Sequence, residues 1–141
     1  MWDARSGRQV GALETAAPVT AFDVSFDRAF VTTAEANTVR VWDAAALRQL
    51  RQLDMPYPVE SASFAPATGR LVAGGDDMWV HLHDFATGEE LAVNKGHHGP
   101  VHTVKFSPTG DTYASGSEDG TIRMWSLAEV DAAAAVNGGG H

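Results

Sequence analysis

His97, Ser115 and Asp119, with Trp125 six residues further on, supply the side-chain types of a hydrolytic set. Such a set needs a hydroxyl nucleophile, an imidazole base and a carboxylate that orients the base. A nucleophilic Ser must also stand exposed beside an oxyanion site, often on a Gly-x-Ser-x-Gly elbow, and the chain contains no such elbow. His98 and His102 have the i, i+4 spacing of zinc-binding helices, but Gly99-Pro100 separates them and their flanks read as strand, so the spacing is useless for chelation. His81 and His83 share one face of a strand and could pair as ligands, yet no Cys and no third close ligand accompanies them. Gly74-Gly75 ends a strand before two acids, and no Gly-x-Gly-x-x-Gly or Walker pattern occurs, so nucleotide binding has no support. The expectation is an absence of catalytic residues, metal and cofactor.

The elements that hold these residues repeat. Trp2-Asp3, Trp42-Asp43, His83-Asp84 and Trp125-Ser126 follow one another at intervals of 40, 41 and 42 residues. Pro18-Val19, Pro58-Val59 and Pro100-Val101 recur in the same phase, each opening an alternating run such as Val101/Val104/Phe106. Two independent markers with one period predict an array of units of roughly forty residues. Within the last unit, runs at 101–107, 111–116 and 121–125 are broken by Pro108-Thr-Gly110 and Asp119-Gly120. Alternating or β-branched runs separated by such turn signals predict antiparallel strands joined by tight turns. Leu47 to Leu53 and Glu89 to Asn94 fill a fourth strand slot in the other units. Helix has a place only at Ala44 to Leu47 and in the Ala-rich tail.

The 141 residues, 44% hydrophobic, suffice for one modest core. Ten Lys and Arg against eighteen Asp and Glu leave a net charge of -8, which disfavours direct phosphate tracking and anionic lipid. The absence of Cys rules out a disulfide framework and fits a reducing compartment. No apolar run approaches bilayer length and the first residues lack an apolar signal core, so neither secretion nor membrane insertion is expected.

Gly96-His97, Phe106-Ser107-Pro108, Ala114-Ser115-Gly116-Ser117, Asp119-Gly120-Thr121 and Trp125 together resemble the WD40-repeat β-propellers. The resemblance covers residues 1 to about 127 and implies an all-β fold of four-stranded antiparallel blades. It also implies that a repeat supplies the outer strand of one blade and the inner three of the next. Residues 1–13 then end one blade, 19–53 and 59–94 form two more, and 101–126 give three strands. The expected architecture is about three blades of a seven-bladed ring, a shortened propeller arising from an incomplete gene model, a splice form or deliberate truncation. The tail, residues 128–141, is expected to be a flexible end.

In that family the positions of His97, Ser115, Asp119 and Trp125 form a structural hydrogen-bond chain, which would give every buried polar atom a partner. Only the last unit is complete: Ala36 stands where Asp119 does, and Asp77 is kept while His83 replaces Trp. The acids Glu35, Asp76, Asp77, Glu118 and Asp119 fall between second and third strands. They form either a solvated rim or an acidic docking surface with Met55, Tyr57 and Trp79 as anchors. Leu71 to Gly75, Thr87 to Leu91 and Lys95 to Pro100 further resemble a non-enzymatic WD40 scaffold of spliceosomal ribonucleoprotein assembly (mRNA splicing) that also serves receptor kinase signalling. A propeller subunit of a translation initiation factor is the alternative. The implied partners are proteins, with RNA contacted only indirectly and no membrane or small-molecule substrate, in the cytoplasm and also the nucleus.

Overall fold

A computed structural model of the chain describes residues 2, 4–9 and 11–129. Eleven strands run through the described residues: β1 (Val19–Val24), β2 (Phe30–Glu35), β3 (Thr38–Asp43), β4 (Arg48–Asp54), β5 (Val59–Ala65), β6 (Arg70–Gly75), β7 (Val80–Asp84), β8 (Glu90–Asn94), β9 (Val101–Phe106), β10 (Thr112–Ser117) and β11 (Ile122–Ser126). They form sheets β1-β2-β3-β4, β5-β6-β7-β8 and β9-β10-β11, antiparallel throughout, as the repeat period requires. Each first strand slips register just past its Val, between Val19 and Ala21, Val59 and Ser61, and Val101 and Thr103. This shared bulge marks where the chain enters each blade from the Pro-Val turn.

The sheets pack face to face, and the middle one is covered on both sides. Leu71, Ala73 and Phe64 face the first blade, against Val39, Val41 and Phe30. Val72, Val80 and Leu82 face the third, against Val101, Val104 and Tyr113. Two-sided burial is why β5, β6 and β7 are buried along almost their whole length, whereas β1 and β9 of the outer sheets interleave exposed residues with covered ones. The first strands are also stitched by hydroxyls. Thr20 donates to the Val59 carbonyl at 3.1 Å, Ser61 accepts from the Val104 N–H at 3.1 Å, and Ser63 accepts from the Phe106 N–H at 3.1 Å. Ser63 also donates to Asp23 at 2.8 Å, and Asp23 pairs with Lys105, so one carboxylate links all three blades.

Among the described residues of the first segment, Trp2 and Gln9 form an antiparallel bridge, the pair that Trp42 and Gln49 make one repeat later. Two expectations need correction. Ala44 to Leu47 is a turn, with Leu47 in the left-handed region at φ 53°. Glu35 is 1% exposed and is no rim acid: the β2–β3 turn is only Ala36-Asn37, so Glu35 is still paired in the sheet. Its carboxylate accepts from the Ala17 N–H at 2.9 Å and pairs with Arg40 at 2.6 Å. Residues 127–129 are helical, and the expected flexible tail lies outside the described residues from 130 onward.

Candidate functional site

The third blade gathers His97, Ser115, Asp119 and Trp125 from four different places: the β8–β9 loop, β10, the β10–β11 turn and β11. The Trp125 indole N–H donates to Ser115 Oγ at 2.9 Å, and Ser115 Oγ lies 2.7 Å from His97 Nε2. His97 Nδ1 faces Asp119 Oδ2 and Thr121 Oγ1, both at 3.1 Å. With the imidazole proton on Nδ1, donation runs in one direction, from Trp125 to Ser115 to His97 to Asp119, and no donor is left over. Asp119 also accepts from the backbone N–H of His98 at 2.9 Å and of Thr121 at 2.8 Å. The Thr121 hydroxyl first, and then the His98 N–H, hold its carboxyl well below the usual carboxylate range. Gly96 completes the site, since a Cβ there would stand 3.0 Å from the Trp125 ring.

This arrangement locks a loop to a sheet; it cannot attack a substrate. Ser115 is 1% exposed, with its oxygen held between an indole and an imidazole. A nucleophile needs an approach path and an oxyanion site within about 3 Å, and burial removes both. Residues 7–43 and 88–126 match the profile of the WD domain, G-beta repeat. The chain belongs to the WD40 family. Among curated WD40 relatives it is 48% identical over 125 residues to the serine-threonine kinase receptor-associated protein of Dictyostelium discoideum, covering 89% of this chain and 42% of that protein. The namesake from Gallus gallus is 40% identical over the same length, covering 89% and 36%. Eukaryotic translation initiation factor 3 subunit I of Drosophila grimshawi is 35% identical over 144 residues, covering 90% and 44%. The chain thus spans less than half the length of the relatives it matches.

The other WD40 units keep parts of the lock. In the first blade the Trp42 indole donates to Thr33 Oγ1 at 3.0 Å, a Ser115–Trp125 pair without the His. In the second, Ala73 stands where Thr33 and Ser115 do, so His83, buried in the Trp position, has no hydroxyl to meet and both its ring nitrogens lack partners. Asp77 instead bonds His81 Nε2 at 2.6 Å, and Glu90 on β8 takes His81 Nδ1. The two histidine rings are inclined by 24° with centroids 6.5 Å apart, and among the described residues no group of three or more His, Cys, Asp or Glu is placed to hold a metal ion. Burial holds the His83 imidazole below its ordinary value near 6.5, partly offset by Glu90. That depression adds stability above the unfolded value, which is lost as pH falls through the lowered folded value. Replacing His83 by Phe is expected to raise stability by about 1 kcal/mol at pH 7, because a buried unpaired polar group is removed. Denaturant unfolding at pH 7 and pH 5 should show a smaller acid loss in the variant, whereas equal losses would refute this assignment.

The anchors predicted from sequence separate. Met55 is 6% exposed and Tyr57 5%, both in the core between the first and second blades, so neither is a surface anchor. The repeat explains Met55, which lies four residues before Val59 as His97 lies four before Val101. Tyr57 stacks on His81 at 4.5 Å between ring centroids, and burial pushes its phenol above the ordinary range. Asp76, Trp79 and Glu118 are on the surface. Asp77 is half-buried and caps its own turn, accepting from the Trp79 N–H at 3.1 Å. Trp79 is 38% exposed with the Lys95 ammonium 4.2 Å above its ring, and Met78 beside it is 40% exposed. Lys95 and Glu90 escape sequence reasoning, because their partners lie across a strand and a loop at spacings that no motif encodes.

Proposed function

We propose that this WD40 chain is a non-enzymatic scaffold of spliceosomal ribonucleoprotein assembly, and in animals of receptor kinase signalling, working in the cytoplasm and also the nucleus. The similarity to proteins named serine-threonine kinase receptor-associated protein, at 48% and 40% identity, carries this reading. The burial of Ser115 supports a role without turnover, and the net charge of -8 supports protein partners with RNA contacted only through them. The rim at the β6–β7 turn is the docking candidate, with Trp79 as anchor and Asp76 in the same turn, and Glu118 is the exposed acid of the β10–β11 turn. Aromatic side chains at the centre of an interface carry most of its energy.

The alternative is a translation initiation subunit, favoured by the 35% identity to eukaryotic translation initiation factor 3 subunit I. Affinity purification of the tagged protein from its own cells, followed by mass spectrometry, separates the two. Ribonucleoprotein assembly factors are the expected companions, and initiation factor subunits in their place would establish the alternative. Trp79→Ala is expected to lower recovery about tenfold or more, equivalent to ~1.4 kcal/mol, without changing the melting temperature. Unchanged recovery would confine Trp79 to its contact with Lys95.

A further inference from the structure

The β6–β7 and β10–β11 turns are the same turn in successive repeats, Gly75-Asp76-Asp77-Met78-Trp79 against Ser117-Glu118-Asp119-Gly120-Thr121. The Met78 N–H donates to the Gly75 carbonyl at 3.3 Å as the Gly120 N–H donates to the Ser117 carbonyl at 3.1 Å. Both fourth residues are left-handed, Gly120 at φ 82° and Met78 at φ 69°. Glycine takes that conformation freely, whereas a side chain is strained there. Arg28, Ala36 and Leu47 share the region, but among the described residues Met78 alone of the four is a large, exposed apolar residue. Trp79, also exposed, follows where the third blade has Thr121, and neither Met78 nor Trp79 belongs to the cores between blades. The middle blade is packed on both faces, so this exposure belongs to the turn itself. Two large apolar side chains in water, one of them on a strained backbone, weaken the free chain and suit a contact with another molecule.

The charges around this pair set the chemistry of that molecule. The β6–β7 turn carries Asp76 and Asp77 and no cation. From Trp79 the loop 95–99 leads to the next turn. The Lys95 ammonium lies 4.2 Å from the Trp79 ring centroid, the His98 N–H donates to Asp119 at 2.9 Å, and Ser117 Oγ donates to the Gly99 carbonyl at 2.9 Å. Glu118 and Asp119 in that turn bring the continuous surface to four carboxylates against the one ammonium of Lys95. Asp77 and Asp119 are engaged by His81 and His97. Among the described residues no Lys or Arg pairs with Asp76 or Glu118, and both acids are exposed.

Resting on the reading of the β6–β7 turn as the docking rim, we propose that this surface binds a basic peptide segment of a partner protein. A large apolar side chain of the segment sits on Met78 and Trp79, and its Lys or Arg side chains pair with Asp76 and Glu118. Met suits such a contact because its unbranched, polarisable side chain adapts to the shape it meets. The Lys95 ammonium stays on the indole, where it fixes the ring and leaves basic side chains to the acidic part of the surface. The excess of carboxylates repels an acidic segment.

Fluorescence polarisation of the 141-residue chain tests this with a labelled short peptide that has Leu at its centre and two Lys on each side. Saturable binding is expected, weaker by about tenfold or more when Glu replaces every Lys or Gly replaces the Leu. No binding of the Lys-Leu peptide, or equal binding of the Glu form, would overturn the proposal. Met78→Gly separates docking from folding. It is expected to melt no lower than the parent, because glycine relieves the left-handed strain, yet to bind the peptide about tenfold more weakly. A lower melting temperature would show that Met78 serves the fold, and unchanged binding would remove it from the site; either result overturns the proposal. Asp76→Lys, a change at an exposed side chain, is expected to weaken the Lys-Leu peptide and strengthen the Glu form, and binding indifferent to it would place the contact elsewhere. These readings do not depend on which companions the purified protein carries. Recovery of initiation factor subunits would leave a positive peptide result standing, and a peptide failure would leave the recovered companions standing.

Discussion

Replacing His97 by Ala is expected to lower the unfolding free energy by about 1–3 kcal/mol, because the substitution leaves a buried hydroxyl and a carboxylate without their partner. The imidazole side chain is fully enclosed and joins the Ser115 hydroxyl on β10 to the Asp119 carboxylate in the β10–β11 turn. Ser115→Ala should cost a similar amount, since it strands the Trp125 indole N–H. The double variant should cost less than the sum of the two, as expected for members of one network. Thermal or denaturant melting of the four proteins checks this, and an unchanged His97→Ala melt would remove the lock from the account. Acid acts on the same network. Asp119 titrates below its ordinary value of 3.8, so its contribution is present above that pH and is lost as pH falls through the depressed folded value.

Gly74→Val is expected to cost about 3 kcal/mol by wedging the second and third blades apart. A Cβ at Gly74 would sit 2.6 Å from Val101 Cγ1 and 3.3 Å from Val104 Cγ1. Both valines are buried and β-branched, so they have few rotamers with which to yield. Gly74→Ala should cost less, because Ala34 holds the corresponding place in the first blade, facing Val59 in the same core. Melting of the two variants beside the parent measures the gradient; equal stability of all three would show that the blades are not in close contact there.

Most of the fold is legible in the spacing of a few residues. Trp2, Trp42 and Trp125 with the three Pro-Val pairs set the period, and the turn signals at Pro108-Thr-Gly110 and Asp119-Gly120 divide a period into strands. Glu35, Met55 and Tyr57 are misread for a common reason: their residue types suit a surface, but turn length and repeat phase place them inside. A two-residue β2–β3 turn keeps Glu35 in the sheet, and the phase that puts His97 between blades does the same to Met55. The link from His81 to Glu90 depends on a register shift between Leu82 and His83, which no spacing announces. The His97–Ser115–Trp125 chain is visible only through the family resemblance, because residue types alone fit a hydrolase equally well.

That ambiguity defines the most direct test. Folded protein is incubated with an excess of a serine-directed fluorophosphonate and its intact mass is read. If Ser115 is the buried centre of a structural lock, the mass stays at the unmodified 15.0 kDa. A stoichiometric adduct on Ser115 that disappears in His97→Ala would mean that the imidazole activates an accessible nucleophile, and the scaffold account would fall.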